Sequence, residues 1–383
     1  MKVLVYKWDI FPYNDIIDGL KEQGHYIDVL AFPITNHIKD PVFERELAKY
    51  LENGSYDAVF SVNYFTAISN VCHKYHTRYI SWTCDAPLAG MRNPSVHNPE
   101  NTIYVFDKKE YEYFQETGTG TVKYLPLAGA PGRIQKLIKN KNPARKYLYD
   151  ISFAGNLYDK NRYDEMVNAL PPYLCGYMDA AIEAQLNVSG GNIINLMLSD
   201  DIMDSAAKYM DLKQENGSPG DLKLYFATSV LSYKAAALMR RQAVNSLSQI
   251  AGMHLFTTSC TDGLYKTIIH PPVTYHTEMP LVFAASKINL NMTIPNIENG
   301  IPLRVFDILS AGGFLMTDYR PCLEELFDIN KDLVVYDGIN DLTSKAAYYL
   351  THNKERELIA ANGFNKLRKL HTYKHRIKTM FSL

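Results

Sequence analysis

Cysteine is scarce in this 383-residue chain, with only Cys72, Cys84, Cys175, Cys260 and Cys322. The number is odd and no pair is spaced C-x-x-C, which argues against a disulfide framework and a zinc knuckle and favours buried free thiols. A charge excess is also lacking: 40 Lys and Arg stand against 41 Asp and Glu, a net of −1. A non-specific nucleic-acid binder needs a basic surplus, so nucleic acid is not an expected partner. No stretch reaches the roughly 18 uncharged apolar residues of a membrane-spanning helix. The opening MKVLVYKWDIF has too short an apolar core for a signal peptide, so a cytoplasmic chain without a transmembrane segment is expected. G-x-G-x-x-G is absent after the first strand, where the chain reads YKWDIFPYN, and so are G-x-x-x-x-G-K-[ST], H-E-x-x-H and G-x-S-x-G. These absences argue against an ordinary dinucleotide dehydrogenase, a P-loop NTPase, a zincin and an α/β-hydrolase. With 46% hydrophobic and 21% charged residues the chain is neither disordered nor fibrous, and its length suits two domains. Tyrosine is plentiful at 28, against 2 Trp. Its flat ring and polar tip suit cores, interfaces and sugar- or base-binding clefts, although a plain compositional bias explains it as well.

Strand-like apolar runs alternate with helix-like segments over the first ~130 residues, which predicts βαβ units and a parallel sheet. Strands are expected at 2–6, 26–31, 56–62, 78–83, 102–106 and 121–125, and helices at 15–23, 41–52 and 65–75. Parallel strands are buried on both faces and read as continuous apolar runs, as these do. A Pro-, Gly- and Lys-rich stretch at 126–143 marks the boundary between domains 1–142 and 143–383. A strand at 149–154 opens the second half. The middle, about 178–250, reads as a helical insertion, with a turn at 216–220. Alternation then returns, with strands at 254–258, 272–276, 286–293, 313–317 and 332–336 and a last, basic helix at about 354–381. The fold class is therefore α/β, two Rossmann-like domains whose strand ends face a cleft, with a helical insertion in the second.

The segment 286–318, SKINLNMTIPNIENGIPLRVFDILSAGGFLMTD, carries the chemistry. A strand leads into a polar loop with Asn296, Glu298, Asn299 and Gly300, and a helix starts near Ile301 and Pro302, followed by Leu303. A helix start with free N–H groups attracts anions. Arg304 in its first turn can bond a phosphate, and Asp307, one turn on, can accept from a ribose diol. The competing reading is an ordinary helix with a surface Arg–Asp pair three residues apart.

This segment resembles the C-terminal domain of the CgeB-like spore-maturation proteins, which belong to the GT-B glycosyltransferases. Further resembling pieces are YDISFAGNLYDKNR (149–162), PVTYHTEMPLVFAASKINLNMT (272–293), GIPLRVFDILSAGGFLMTDYR (300–320), EREL and IAANG within 355–363, and HTYKHR (371–376). SWTCDAP (81–87) and YLPLAG (124–129) match more loosely. The resemblance implies a GT-B hexosyltransferase. Its second domain would hold a nucleotide sugar (a UDP-sugar), and its first an acceptor that is protein, glycan or small molecule. Retaining relatives carry E-x7-E here. Asp307 occupies the second acid, but Asn299 stands at the first, with Glu298 one residue off register, so retention or inversion stays open.

By the same resemblance, Gly155 and Asn156 face the diphosphate with Arg162 as charge partner, or form a tight βα turn only. Tyr275 and His276 approach the nucleobase, or Tyr275 is a core residue. Lys287 reaches phosphate, or is solvated. Asp85, in T-C-D-A-P, is the general base or acceptor anchor, or a turn-forming Asp. Asn63 and Tyr64 line the acceptor site. His73 and His76 lack an acidic third ligand and are packing or surface residues. No D-x-D is seen, and the family implies no bound metal and no cofactor beyond the nucleotide-sugar substrate. The last helix packs at the domain junction, or attaches to anionic lipid. A nucleotide-sugar epimerase and a non-catalytic sugar-nucleotide-binding protein are the alternative functions.

Overall fold

The computed structural model describes residues 1–36, 38–141, 147–209 and 222–382. The boundary at 142/143 and the turn at 216–220 lie outside the described residues. The chain divides into two compact units. One comprises 1–127, 222–225 and 373–382, and the other lies within 128–209 and 226–372.

The first unit holds a six-stranded parallel sheet: β1 (Lys2–Tyr6), β2 (Tyr26–Leu30), β3 (Ala58–Val62), β4 (Arg78–Trp82), β5 (Asn101–Val105) and β6 (Val122–Tyr124), in the order β2-β1-β3-β4-β5-β6. β3 is buried at every residue, which is why it reads as an unbroken apolar run. The flanking helix Pro41–Asn53 starts where the sequence signals it. Asp40 caps the N–H groups of Val42 and Phe43, Pro41 takes the first position, and Phe43 and Leu47 enter the core.

The second unit holds β7 (Tyr149–Ala154), β8 (Met253–Phe256), β9 (Ile268–His270), β10 (Ser286–Asn291), β11 (Leu315–Asp318) and β12 (Val334–Tyr336), all parallel, in the order β12-β11-β10-β7-β8-β9. From the β9 edge this is the doubly wound 3-2-1-4-5-6 order, so the strand order reverses between β7 and β10. The described residues of the middle of the chain are mainly helical, as its composition predicts. They form helices Pro172–Leu186 and Asp200–Ala207, and a π-helical turn, Phe226–Leu231, that leads into Ser232–Leu247. Ala243, Val244 and Leu247 seat that last helix on the sheet core beside Ile151, Phe153 and Met253.

Two elements differ from expectation. PVTYH is not a strand: 275–278 is a turn, and the edge strand is Ile268–His270. The basic C-terminal helix is two helices, Asn353–Leu370 and Tyr373–Phe381. It breaks because the His371 carbonyl accepts from the Gly129 N–H, at 3.0 Å, and Thr372 bridges to Gly129. Its charges are not one solvated face. Lys366 pairs with Asp328 and Asp332, and Arg376 is buried, donating to the Pro126 carbonyl within the first unit.

Candidate functional site

The site is best built at the carboxyl ends of β7 and β10, where doubly wound sheets bind ligands. Beyond β10 the chain runs through 292–302 to the helix Leu303–Ser310, whose N-cap is Pro302. Pro302 has no side-chain cap to offer, so the first N–H groups of the helix keep their positive end for a ligand. Ile301 is buried and fixes the approach of the loop. Gly300 is buried beside it. Asn299 Oδ1 accepts from the Cys322 N–H at 2.7 Å, so the residue at the first acid position serves loop geometry.

Three side chains converge on this helix. The Tyr275 hydroxyl donates to Asp307 Oδ1 at 2.7 Å, although the two are far apart in sequence. Asp307 is buried to 7% exposure. Arg304 lies over the Phe283 ring, 5.3 Å from its centroid, with its Nη1 against Met279 Sδ. Burial pulls the Arg304 pKa below the usual guanidinium range; nearby Asp307 and Tyr275 oppose this and the Arg240 charge adds to it. The His276 carbonyl accepts from Arg133, which ties the 275–278 turn to the helix Pro131–Lys141.

The turn after β7 is the second component. Gly155 N–H donates to the Phe256 carbonyl at 3.0 Å. Asn156 folds over its own turn, with Oδ1 accepting from Tyr158 N–H and Ser259 Oγ. Its carbonyl accepts from Arg240, a residue that sequence reasoning missed. The Arg pair in SYKAAALMRRQAVNSL carries no motif, and only the folded helix shows which way each faces. Arg162 is exposed at the start of the short helix Arg162–Met166.

Lys287 is not brought to this cluster. It is the second residue of β10 and pairs at 2.6 Å with Asp150, the second residue of β7. In a parallel sheet those are the amino ends, opposite the ligand-binding edge.

On the first unit, exposed Asp85 follows β4, and its Oδ2 accepts from Asn63 Nδ2 at 2.6 Å. Asn63, at a φ of 62°, also takes the Cys84 N–H, so the ends of β3 and β4 are joined through one amide. Tyr64 does not line a site: it is 3% exposed, its hydroxyl on Ser95. A buried acid that sequence reasoning missed lies nearby. Glu110 Oε1 accepts from Leu88 N–H at 2.9 Å, while its buried Oε2 has no partner among the described residues. Burial pushes its pKa up to about 8, opposed by the Leu88 bond and Arg92, with Asp107 and Asp85 adding to the rise. The expectation of two histidines without an acid is corrected: both His73 and His76 contact Glu100, at 2.6 and 3.3 Å. Among the described residues no group of three or more His, Cys, Asp or Glu is placed to hold a metal ion. Among the same residues no helix is long and apolar enough to cross a membrane.

Residues 240–382 match the family model described as glycosyl transferase-like. No curated protein matches the chain. Among solved structures, it is similar to a glycosyltransferase from Rickettsia africae (8% identity, 99% of this chain and 96% of that one, TM-score 0.55). It is also similar to HepE of Anabaena in complex with UDP and glucose (10% identity, 100% of both chains, TM-score 0.54). A third is the sucrose-phosphate synthase of Thermosynechococcus elongatus (10% identity, 99% and 97%, TM-score 0.54). The doubly wound pair of sheets is thus the GT-B fold, and within it residues 240–382 match a glycosyl transferase-like sequence.

Proposed function

We propose that this chain transfers a glycosyl group from a UDP-sugar to an acceptor hydroxyl without a resident metal, as a CgeB-like enzyme of the cytoplasm. The observation that carries this reading is the Tyr275–Asp307–Arg304 cluster on the first turns of the helix Leu303–Ser310. The helix start and Arg304 receive the diphosphate, and their positive charge supports it as the bond to the anomeric carbon breaks. A carboxylate accepts up to about four hydrogen bonds, so Asp307 can take a ribose hydroxyl while Tyr275 holds its other side. Gly155 and Asn156 line the same edge, and Asn299 to Leu303 set the loop against it. Tyr275 and His276 lie beside the base, and Arg162 is an outer charge partner. Asp85, oriented by Asn63, takes the acceptor proton. Uracil is chosen because HepE, which shares the fold, holds UDP and, in a second complex, UDP-glucose.

A thermal-shift screen of nucleotide sugars tests the reading, since a ligand that binds only the native state raises Tm. One or more UDP-sugars are expected to raise Tm, and Arg304→Ala to abolish that rise while keeping a cooperative transition. No shift with any UDP-sugar, or an undiminished shift in Arg304→Ala, would remove the assignment. Because Asn299 is engaged with a backbone N–H and is no acid, non-catalytic binding is the second reading. Donor binding with no transfer or hydrolysis across an acceptor panel would establish it. Product formation from donor alone would indicate an epimerase.

A further inference from the structure

Helix Ser232–Leu247 carries two consecutive arginines, and both are used as staples. Arg241 donates to the carbonyls of Asp262 and Cys260, at 2.7 and 2.8 Å, in the loop after β8. Arg240 donates to the carbonyls of Asn156 and Met292, each at 2.6 Å. Asn156 follows β7 and Met292 follows β10, so one guanidinium spans the place where the strand order reverses. It is 8% exposed and stacks on the Tyr158 ring, 4.7 Å from the centroid. The helix comes close enough because Ala235, Ala236 and Ala243 leave its inner face short.

Arg240's bonds among the described residues go to neutral carbonyls, no carboxylate pairs with it, and its buried Nε has no partner. Carbonyls orient a guanidinium without cancelling its charge. A buried, uncompensated cation is costly unless an anion arrives beside it. The charge is near enough to Arg304 to lower that residue's pKa, so two cations share this strand edge with Asp307.

We propose that Arg240 is a positioning residue of the donor site, clamping the Gly155–Asn156 turn to the end of β10 and presenting a fixed positive charge to the donor's diphosphate. The helical middle of the chain is then part of donor recognition. This rests on the diphosphate placement proposed above.

Calorimetric titration of the full chain with UDP, uridine and inorganic pyrophosphate tests it. Arg240→Gln is expected to weaken UDP and pyrophosphate about tenfold or more and to leave uridine within about twofold. A merely structural defect would move all three together. Arg240→Lys, which keeps the charge, is expected to recover part of the loss. Unchanged UDP and pyrophosphate affinity in Arg240→Gln overturns the proposal. Should Arg240→Gln fail to fold, hydrogen exchange on the unsubstituted chain decides. Pyrophosphate is expected to slow exchange at 155–158 and 236–244, and protection confined to 300–307 overturns the role of Arg240. If the unsubstituted chain binds pyrophosphate but not UDP, the UDP reading fails and Arg240 keeps its place. If it binds neither, both fail.

Discussion

Single residues show which parts of the proposed site a sequence can suggest. Arg304 and Asp307 are legible because a helix start after a buried strand has known electrostatics. The Tyr275–Asp307 bond is not, because nothing in one sequence pairs residues from a turn and a distant helix. Lys287 misleads because charge next to a strand says nothing about which end of the strand carries it. Glu110 is hidden for another reason: in KKEYEYFQE it looks like any solvated helix acid, and only burial makes it a weak one. Its folded pKa of about 8 lies above the ordinary 4.5, so between those values the native chain holds a proton that the unfolded chain has released. Stability therefore falls as pH rises through that window, with a slope of at most about 1.4 kcal/mol per pH unit from this group. Glu110→Gln keeps the neutral shape and should flatten the decline, which Tm measured from about pH 5 to 8 in both proteins checks. Parallel curves would show that Glu110 is ionised in the native state.

At the scale of elements, the strands were read well, the edge strands β2, β6 and β12 included, and only β9 was missed. β9 is short, and Ile268 and Ile269 are exposed, so burial gives it no apolar run to announce it. PVTYH has the β-branched look of a strand but opens on the second of two prolines and leads into the turn that delivers Tyr275. The C-terminal helices were read as one because the break is made by a distant partner, Gly129, with no helix breaker at 371–372 itself. A glycine within the first of them makes a sharper case. In a helix interior Ala normally gains about 1 kcal/mol over Gly. At Gly363, in the helix Asn353–Leu370, an added Cβ would lie 2.1 Å from the Asp332 carbonyl oxygen and 2.8 Å from Leu309 Cδ2. A backbone oxygen cannot rotate away as a side chain can, so overpacking, typically about 1–3 kcal/mol, outweighs propensity. Gly363→Ala should lower the denaturant midpoint, and a raised midpoint would show that the helix can shift.

At the scale of the molecule, the two-domain arithmetic from length meets a chain that does not divide at one point, since residues 373–382 belong with the first unit. The cause is packing. Tyr373, Ile377, Met380 and Phe381 of the last helix are all buried, with Ile377 and Met380 at 0% exposure. Tyr373 meets Trp82 edge-on, Phe381 packs near Phe60, and Ile377 fills the space that Gly19 leaves open on the helix Tyr13–Glu22. Arg78 Nη2 donates to the Met380 carbonyl, adding a polar tie. Four such side chains at about 1.5–3 kcal/mol each approach the 5–15 kcal/mol that typically separates folded from unfolded domains. A chain ending at Thr372 should therefore lose the first unit's cooperative unfolding while the second, which holds every residue assigned to the donor, keeps its own. In calorimetry the truncated chain is expected to show one transition instead of the full signal, and UDP should still raise that transition. Two intact transitions after truncation would mean that the last helix contributes little. A transition insensitive to UDP in the truncated chain alone would mean that donor binding needs residues of the first unit.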